Sequence, residues 1–335
     1  MAHLRAVAGS VQDARARLWG NNDAQPWVLV CTPLVVGRYG RAVVAACGRS
    51  EPPVLQGAAT EPAAAVRQLA DYLQQGDLVG FSRAAVPPAQ HAQLSQAWSE
   101  GLSLWPLTGL PLDEQLPDLL AKLAADRAQE DLQRAFKAQF EGQASSLRQA
   151  AQALGMFGAQ YVDHQGNYTE LQRAHYRQLV LGLSRWAGQA PLSDPALART
   201  ALAQVTTAAR GTGLDGQPAL QAAGMEAALA QLSPLQLALF DALAGYGLDL
   251  RQSLAALQVG LLQEQGDQAL VQVQYPLAGE TVTFQAQMQR IDGRWYMQQN
   301  LDDAQKILAL ADAARPPPAP PTEQAVQDAQ MASGP

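Results

Sequence analysis

The clearest alternation of apolar and polar positions lies near the C-terminus, over residues 267–299. Val271, Val273 and Tyr275 alternate with Gln272 and Gln274. Val282, Phe284, Ala286 and Met288 alternate with Thr283, Gln285 and Gln287. A period of two puts each set on one face of a strand. Ala278-Gly279-Glu280 joins the two runs, and Gly279 accepts the positive φ of a tight connection. Asp292-Gly293 is a hairpin signal, and Trp295-Tyr296-Met297 follows as a third strand. Pro276 has no N–H for the ladder, so it belongs at an edge or a strand end. The pattern predicts a three-stranded antiparallel meander whose apolar face needs a second layer.

Elsewhere apolar residues recur every three or four positions, the helical period. Val66, Leu69, Ala70 and Leu73 form one stripe; Leu94 and Trp98 form another. Asp113 caps a helix that turns Leu116, Leu119, Leu120 and Leu123 inward. A long helix is expected over residues 126–161, buried through Leu132, Phe136, Phe140, Leu147, Leu154 and Phe157. Gly142, Gly155 and Gly158 within it mark close contacts or a break. Thr169 and Gln172 make a capping box for a helix carrying Tyr176, Leu179, Leu183 and Trp186. Asp194-Pro195 and Ser233-Pro234 open two more, and residues 250–265 form the last helix before the sheet. The fold class is α+β, a mostly helical body with a small sheet near its end. Residues 61–265 are the body, and 266–313 the sheet with a short closing helix over 301–313. Residues 1–60 read as a disordered or mis-assigned leader with a linker. Residues 314–335 read as a Pro/Ala-rich disordered tail.

Strand, glycine turn, strand and then Asp292-Gly293-Arg294-Trp295-Tyr296 resembles the end of the nuclear-transport-factor-like cone fold of small bacterial lipoproteins. The helical opening of that family resembles Glu61-Pro62-Ala63-Ala64-Ala65-Val66 with Tyr72-Leu73-Gln74-Gln75-Gly76-Asp77. The resemblance covers about a quarter of the chain, and the long helical stretch between the two pieces departs from the family. It implies that the first helices return to cover the sheet. It also implies a concave face that Trp295, Tyr296 or Phe284 lines as a pocket.

The net charge of −7 argues against a nucleic-acid partner, which requires a basic stripe. Cys31 and Cys47 are the two cysteines, so the body is expected to lack disulfides, thiol chemistry and a cysteine zinc site. No apolar run of about 18 residues predicts a membrane span. Val44-Ala45-Ala46-Cys47 has the form of a lipobox, in which small residues admit the processing peptidase beside a lipidated thiol. A polar stretch with Pro52 and Pro53 follows, as a tether would. Arg38 and Arg41 interrupt the apolar stretch before it, so residue 1 is not expected to be the natural start. As a whole the chain resembles proteobacterial lipoproteins of no assigned activity. That implies a membrane partner through the lipid on Cys47, and an outer-membrane address facing the periplasm. The alternative address is the cytoplasm.

Catalytic and cofactor motifs are sparse. Gly211-Thr212-Gly213-Leu214-Asp215-Gly216 matches a dinucleotide fingerprint in spelling, but a helix precedes it and Pro218 follows, so it reads as a helix end. His91, His164 and His175 read as surface or cap residues, and Asp302-Asp303 as a solvated helix start. No cofactor or metal is expected. The leading expectation is a non-enzymatic envelope lipoprotein that binds a protein partner or an apolar small ligand. The alternatives are an enzyme whose acid–base pair converges only in the fold, and a purely structural envelope protein.

Overall fold

The computed structural model describes residues 57–108, 115–164 and 168–315. Cys31, Cys47 with its lipobox, the Asp113 cap and the tail from Pro316 lie outside the described residues.

The chain opens with α1 (Pro62–Gln75), α2 (Leu78–Ala85) and α3 (Pro88–Ser99). Then come α4 (Leu116–Ala124), α5 (Ala128–Gln139), α6 (Ala144–His164) and α7 (Glu170–Gln189). α8 (Pro195–Gly211), α9 (Gln217–Ala223), α10 (Met225–Gly245) and α11 (Leu250–Ala255) lead into the sheet. The sheet is β1 (Gln258–Gln265), β2 (Gln268–Leu277), β3 (Glu280–Ile291) and β4 (Arg294–Met297), closed by α12 (Gln298–Ala314).

The main core belongs to the helices. Leu94, Trp98, Trp105, Leu120, Leu220, Met225 and Leu229 form one buried cluster, drawn from α3, α4, α9, α10 and the segment after α3. α10 is long and apolar enough to cross a membrane, against the expectation that no such run exists. In this fold Met225, Ala228, Leu229, Leu232 and Leu235 of that helix are buried inside the body. The expected helix start at Ser233-Pro234 lies inside α10 instead. Ser233 Oγ donates to Leu229 O at 3.0 Å, a side-chain bond back to the preceding turn beside the proline.

The long helix expected over 126–161 is two helices. Gly142 takes φ 75°, a left-handed turn that a continuous helix does not allow, and α6 starts afresh at Ala144. The buried side of α6 is also different. Ala151, Gly155 and Val162 are buried, whereas Leu154 and Phe157 are 69% and 63% exposed. The physical reason is a close approach to α7. A Cβ at Gly155 would stand 2.5 Å from Ser184 Cβ, and one at Gly158 would stand 2.9 Å from Val180 Cγ1. The small residues let the helices meet, and the large ones are rotated outward. The capping box of α7 forms as the spacing predicts, with Thr169 N donating to Gln172 Oε1 and Gln172 N donating to Thr169 Oγ1.

The sheet has four antiparallel strands in the order β1-β2-β3-β4, one more than expected. The extra strand, β1, occupies positions read as helix. It pairs Gln258 with Gln274 and Gln265 with Gln268 across the turn at Gly266. A register irregularity between Leu261 and Gln263 leaves Leu261 and Leu262 both exposed, so β1 shows no apolar alternation. The other strands follow the alternation. Val271 opposes Ala286, Val273 opposes Phe284 and Tyr275 opposes Val282. Ala278 and Gly279 both take positive φ, as do Asp292 and Gly293, which is the two-residue hairpin geometry. β1 pairs only as far as Gln274, so the nitrogen of Pro276 needs no strand partner on that side.

α1 returns to cover the sheet. Ala65 and Val66 join Val271, Val273, Ala286, Met288 and Trp295 in a second buried cluster. The residues just before α1 run beside β4, where Ala59 O accepts from Trp295 N at 2.9 Å. Ala58 and Ala59 are accordingly buried.

Candidate functional site

The apolar face of the sheet is covered by helices. α1 covers the half that holds Val271, Val273 and Trp295. α7, α10 and α11 cover the other half, where Leu277 and Val282 meet Leu179, Trp186, Leu243 and Leu250. Of the three aromatics proposed for a pocket, Trp295 and Phe284 belong to one cluster and Tyr296 to another. Trp295 is buried against α1, with the Arg290 guanidinium 5.3 Å from its ring centre. Tyr296 is buried on the opposite face with Ala58 and Leu301. Phe284 is half-buried and meets an ionisable group.

That group is His175 of α7. Its ring stacks on Phe284 at 4.5 Å between centres, and Nε2 lies 3.5 Å from the Tyr275 hydroxyl. The Tyr176 ring centre lies 5.5 Å from that of His175. Burial pushes the imidazole down to about 4 and the Tyr275 phenol up to about 12. Burial also pushes Tyr176 up, with Tyr168 and Asp303 adding to the effect. Asp303, read from sequence as solvated, is half-buried inside α12, and burial raises its carboxyl. At neutral pH His175 and Tyr275 are therefore uncharged and packed between a helix and a sheet. No charge partner activates the imidazole, so this cluster reads as a joint between layers.

α7 is fastened to the sheet beside that joint by a side-chain clamp. β4 pairs only with residues 288–291 of β3, so the edge of β3 at Thr283 lacks a strand neighbour on that side. Gln178 fills the gap. Its Nε2 donates to Thr283 O at 3.1 Å, and its Oε1 accepts from Thr283 N at 2.9 Å. The primary amide copies the two bonds of a strand neighbour and closes an otherwise open edge. Gln178→Ala is expected to lower stability by about 1–3 kcal/mol and to raise the aggregated fraction on heating. Urea unfolding with light scattering measures both, and an unchanged midpoint would show that water replaces the clamp without cost.

A second polar cluster brings together residues that no sequence motif linked. Ser82 Oγ lies 3.2 Å from His91 Nε2, and Glu226 Oε1 lies 3.8 Å from the same nitrogen. Arg83 binds Glu226 through two bonds of 2.7 Å. Serine, histidine and glutamate are the residue types of a nucleophilic triad, but the geometry does not fit one. A relay needs the acid and the serine on different imidazole nitrogens, and here both face Nε2. Ser82 is fully buried, and its hydroxyl donates to Val79 O at 2.8 Å. The Arg83 guanidinium holds the Glu226 carboxyl below its usual range, which commits it to an ion pair. Burial lowers His91 more than Glu226 raises it. The cluster ties α2, α3 and α10 together. Spacing gave no sign of it, because its members lie 9 and 143 residues apart.

His164 ends α6, and Asp163 beside it pairs with Arg177 at 3.3 Å. Among the described residues no three His, Cys, Asp or Glu side chains come together to hold a metal. The glycines of residues 211–216 form the end of α8 and the turn into α9, with Gly213 and Gly216 at positive φ. Two open grooves, of about 480 and 430 Å³, lie between α8 and α10 and beside α12. Ala203, Thr207 and Ala238 line the first; Leu104, Ile307 and Leu310 line the second. Neither groove reaches the His175 or the His91 cluster.

No family model, curated protein or solved structure matches this chain. The surface itself has one marked feature. Leu154, Met156 and Phe157 of α6 are each more than 60% exposed, and Leu171, Leu181 and Leu183 of α7 are exposed as well. Leu154 and Phe157 lie three positions apart in the helix and so share one side of it, and exposed apolar side chains that adjoin are a feature of interaction surfaces.

Proposed function

We propose that this chain is a non-enzymatic lipoprotein of the cell envelope, anchored through a lipid on Cys47. The anchor sits in the outer membrane and faces the periplasm. The protein binds a protein partner through the outer side of the α6–α7 hairpin. The observation that carries the binding role is the apolar exposure of Leu154 and Phe157 on that hairpin. The covered apolar face of the sheet favours a protein over a small apolar ligand, since Val271, Val273 and Trp295 already pack against α1. The nuclear-transport-factor-like resemblance supports the same reading, with the cone used as a scaffold and not as a pocket.

The address has its own test. Cells producing the wild type or Cys47→Ala are fed labelled palmitate and fractionated. Label that requires Cys47 and sediments with the outer membrane is the expected result. Unlabelled protein in the cytosol for both forms would overturn the lipoprotein reading.

A further inference from the structure

The α6–α7 hairpin stands on the body by one side of one helix. Among the described elements α6 packs along α7 and along no other, and α7 packs along β3 and β2. The helices that flank the hairpin in the chain belong to the body, since α5 packs on α4 and α8, and α8 packs on α10. Among the described residues, no side chain of α6 or α7 enters the main core cluster. The residues that the hairpin does bury are Ala151, Gly155, Val162 and Gly182, which remove little apolar area from water. The chain enters it through residues 137–146, all exposed, with Gly142 at φ 75°.

The footing on the sheet is mostly polar. His175 lies on Phe284 and beside the Tyr275 hydroxyl, Gln178 makes its two bonds to Thr283, and Arg185 pairs with Glu280. Trp186 Nε1 donates to Tyr246 O at 2.9 Å, about two turns of helix beyond Gln178. Water replaces bonds of this kind at small net cost, so each holds the hairpin weakly. The apolar part of the footing is Leu179 and Trp186 against Leu277 and Val282. The two helices are joined to each other more closely. Gly155 and Gly158 admit Ser184 and Val180, Ser184 Oγ donates to Ala151 O at 2.9 Å, and Arg177 pairs with Asp163.

We propose that the α6–α7 hairpin is a hinged arm that lifts off the sheet as one unit, with the rest of the fold intact, and that acid drives the lift. The trigger is His175, whose ring is shut against a phenyl ring and a phenol while the arm is down. β2 presents Tyr275 to it, β3 presents Phe284, and its own helix presents Tyr176. Asp303 of α12 acts on Tyr176 and not on the imidazole, and Glu280 of β3 is engaged by Arg185. No carboxylate among the described residues therefore stands ready to balance a charge on the ring. Burial holds the closed imidazole down at about 4, and lifting returns it to water and to its ordinary 6.5. Between those values the lifted arm takes a proton that the closed arm refuses, so falling pH moves the balance towards the lifted arm. Lifting uncovers the edge of β3 at Thr283 and re-aims the exposed side of α6. It does not depend on what that side binds.

The test is hydrogen exchange on the full chain, followed residue by residue by NMR at pH 7 and pH 5. Two reporters sit towards the two ends of the footing: the Thr283 N–H, bonded to the Gln178 side chain, and the Trp186 Nε1–H, bonded to Tyr246 O. Neither belongs to the ladder of a helix, so fraying of α7 leaves them covered. The amides of Leu229 and Leu232 in α10 report opening of the whole fold. After correction for intrinsic rates, both reporters should open to the same extent and far more often than α10. Both should open about tenfold more often at pH 5 than at pH 7. In His175→Phe that acid response should vanish from both, while both still open ahead of α10. Reporters that open only as rarely as α10 overturn the proposal, because the hairpin then leaves only when the whole protein unfolds. Reporters that open to different extents overturn it as well, and so does an acid response that survives His175→Phe.

Discussion

Trp98→Ala is expected to lower the stability of the protein by about 3–5 kcal/mol, the cost of emptying a large buried aromatic site. Trp98 is fully buried in the main core, on α3, and shares its cluster with Leu94, Leu220 and Leu229. Its indole also does polar work, since Nε1 donates to Leu220 O at 2.8 Å. Leu220 lies in α9, a helix of seven residues that is too short to satisfy its own carbonyls. Trp98→Phe keeps most of the apolar volume and removes the donor, so it should cost about 1–3 kcal/mol. Urea unfolding of both variants against the wild type measures the two contributions. Equal losses for both would show that the hydrogen bond dominates and the volume matters little.

Acid should weaken the protein through His175. In the folded state burial holds this imidazole down at about 4, against 6.5 for the exposed group. Between those values the unfolded chain binds the proton and the folded chain does not, so stability rises with pH across the window. The contribution is complete above 6.5 and is lost as pH falls towards 4. The slope approaches about 1.4 kcal/mol per pH unit, or about 2–3 kcal/mol in all once residual solvent contact is allowed for. The groups that face the ring are the Tyr275 hydroxyl, the Phe284 ring and the Tyr176 ring. None of them is anionic at these pH values to offset the charge. Asp303 near Tyr176 works in the opposite direction, because a raised carboxyl favours the folded state as it protonates. His175→Phe isolates the histidine, since a phenyl ring keeps the stack on Phe284. Its stability should change less between pH 7 and pH 4 than that of the wild type. Parallel profiles for the two proteins would assign the acid response elsewhere.

The parts legible in sequence are those where burial falls on large side chains at a regular spacing. β2, β3 and β4 were readable because Val271, Val273, Val282 and Trp295 are both apolar and inward. β1 was not, because its ladder is made by backbone bonds while its side chains stay mostly exposed. α6 misled for the converse reason. Burial there falls on Ala151 and Gly155, which carry no hydrophobic signal, and the conspicuous leucine and phenylalanine face outward. Ser233-Pro234 imitates a helix start, but the chain runs through it within the core. The polar clusters left no trace in the sequence at all. Gln178 and Thr283 lie 105 residues apart, and a glutamine among many glutamines does not announce a clamp.

The carbonyl of Ala59 receives its hydrogen bond from Trp295, and Val66 packs among strands that begin near residue 258. α1 thus has two sides with different histories. Leu69 packs in the helical core beside Leu78 and Ala85, which follow it closely in the chain, whereas Ala65 and Val66 wait for strands that are made much later. Burial of that second side is a long-range step, and it should be among the late contacts to form.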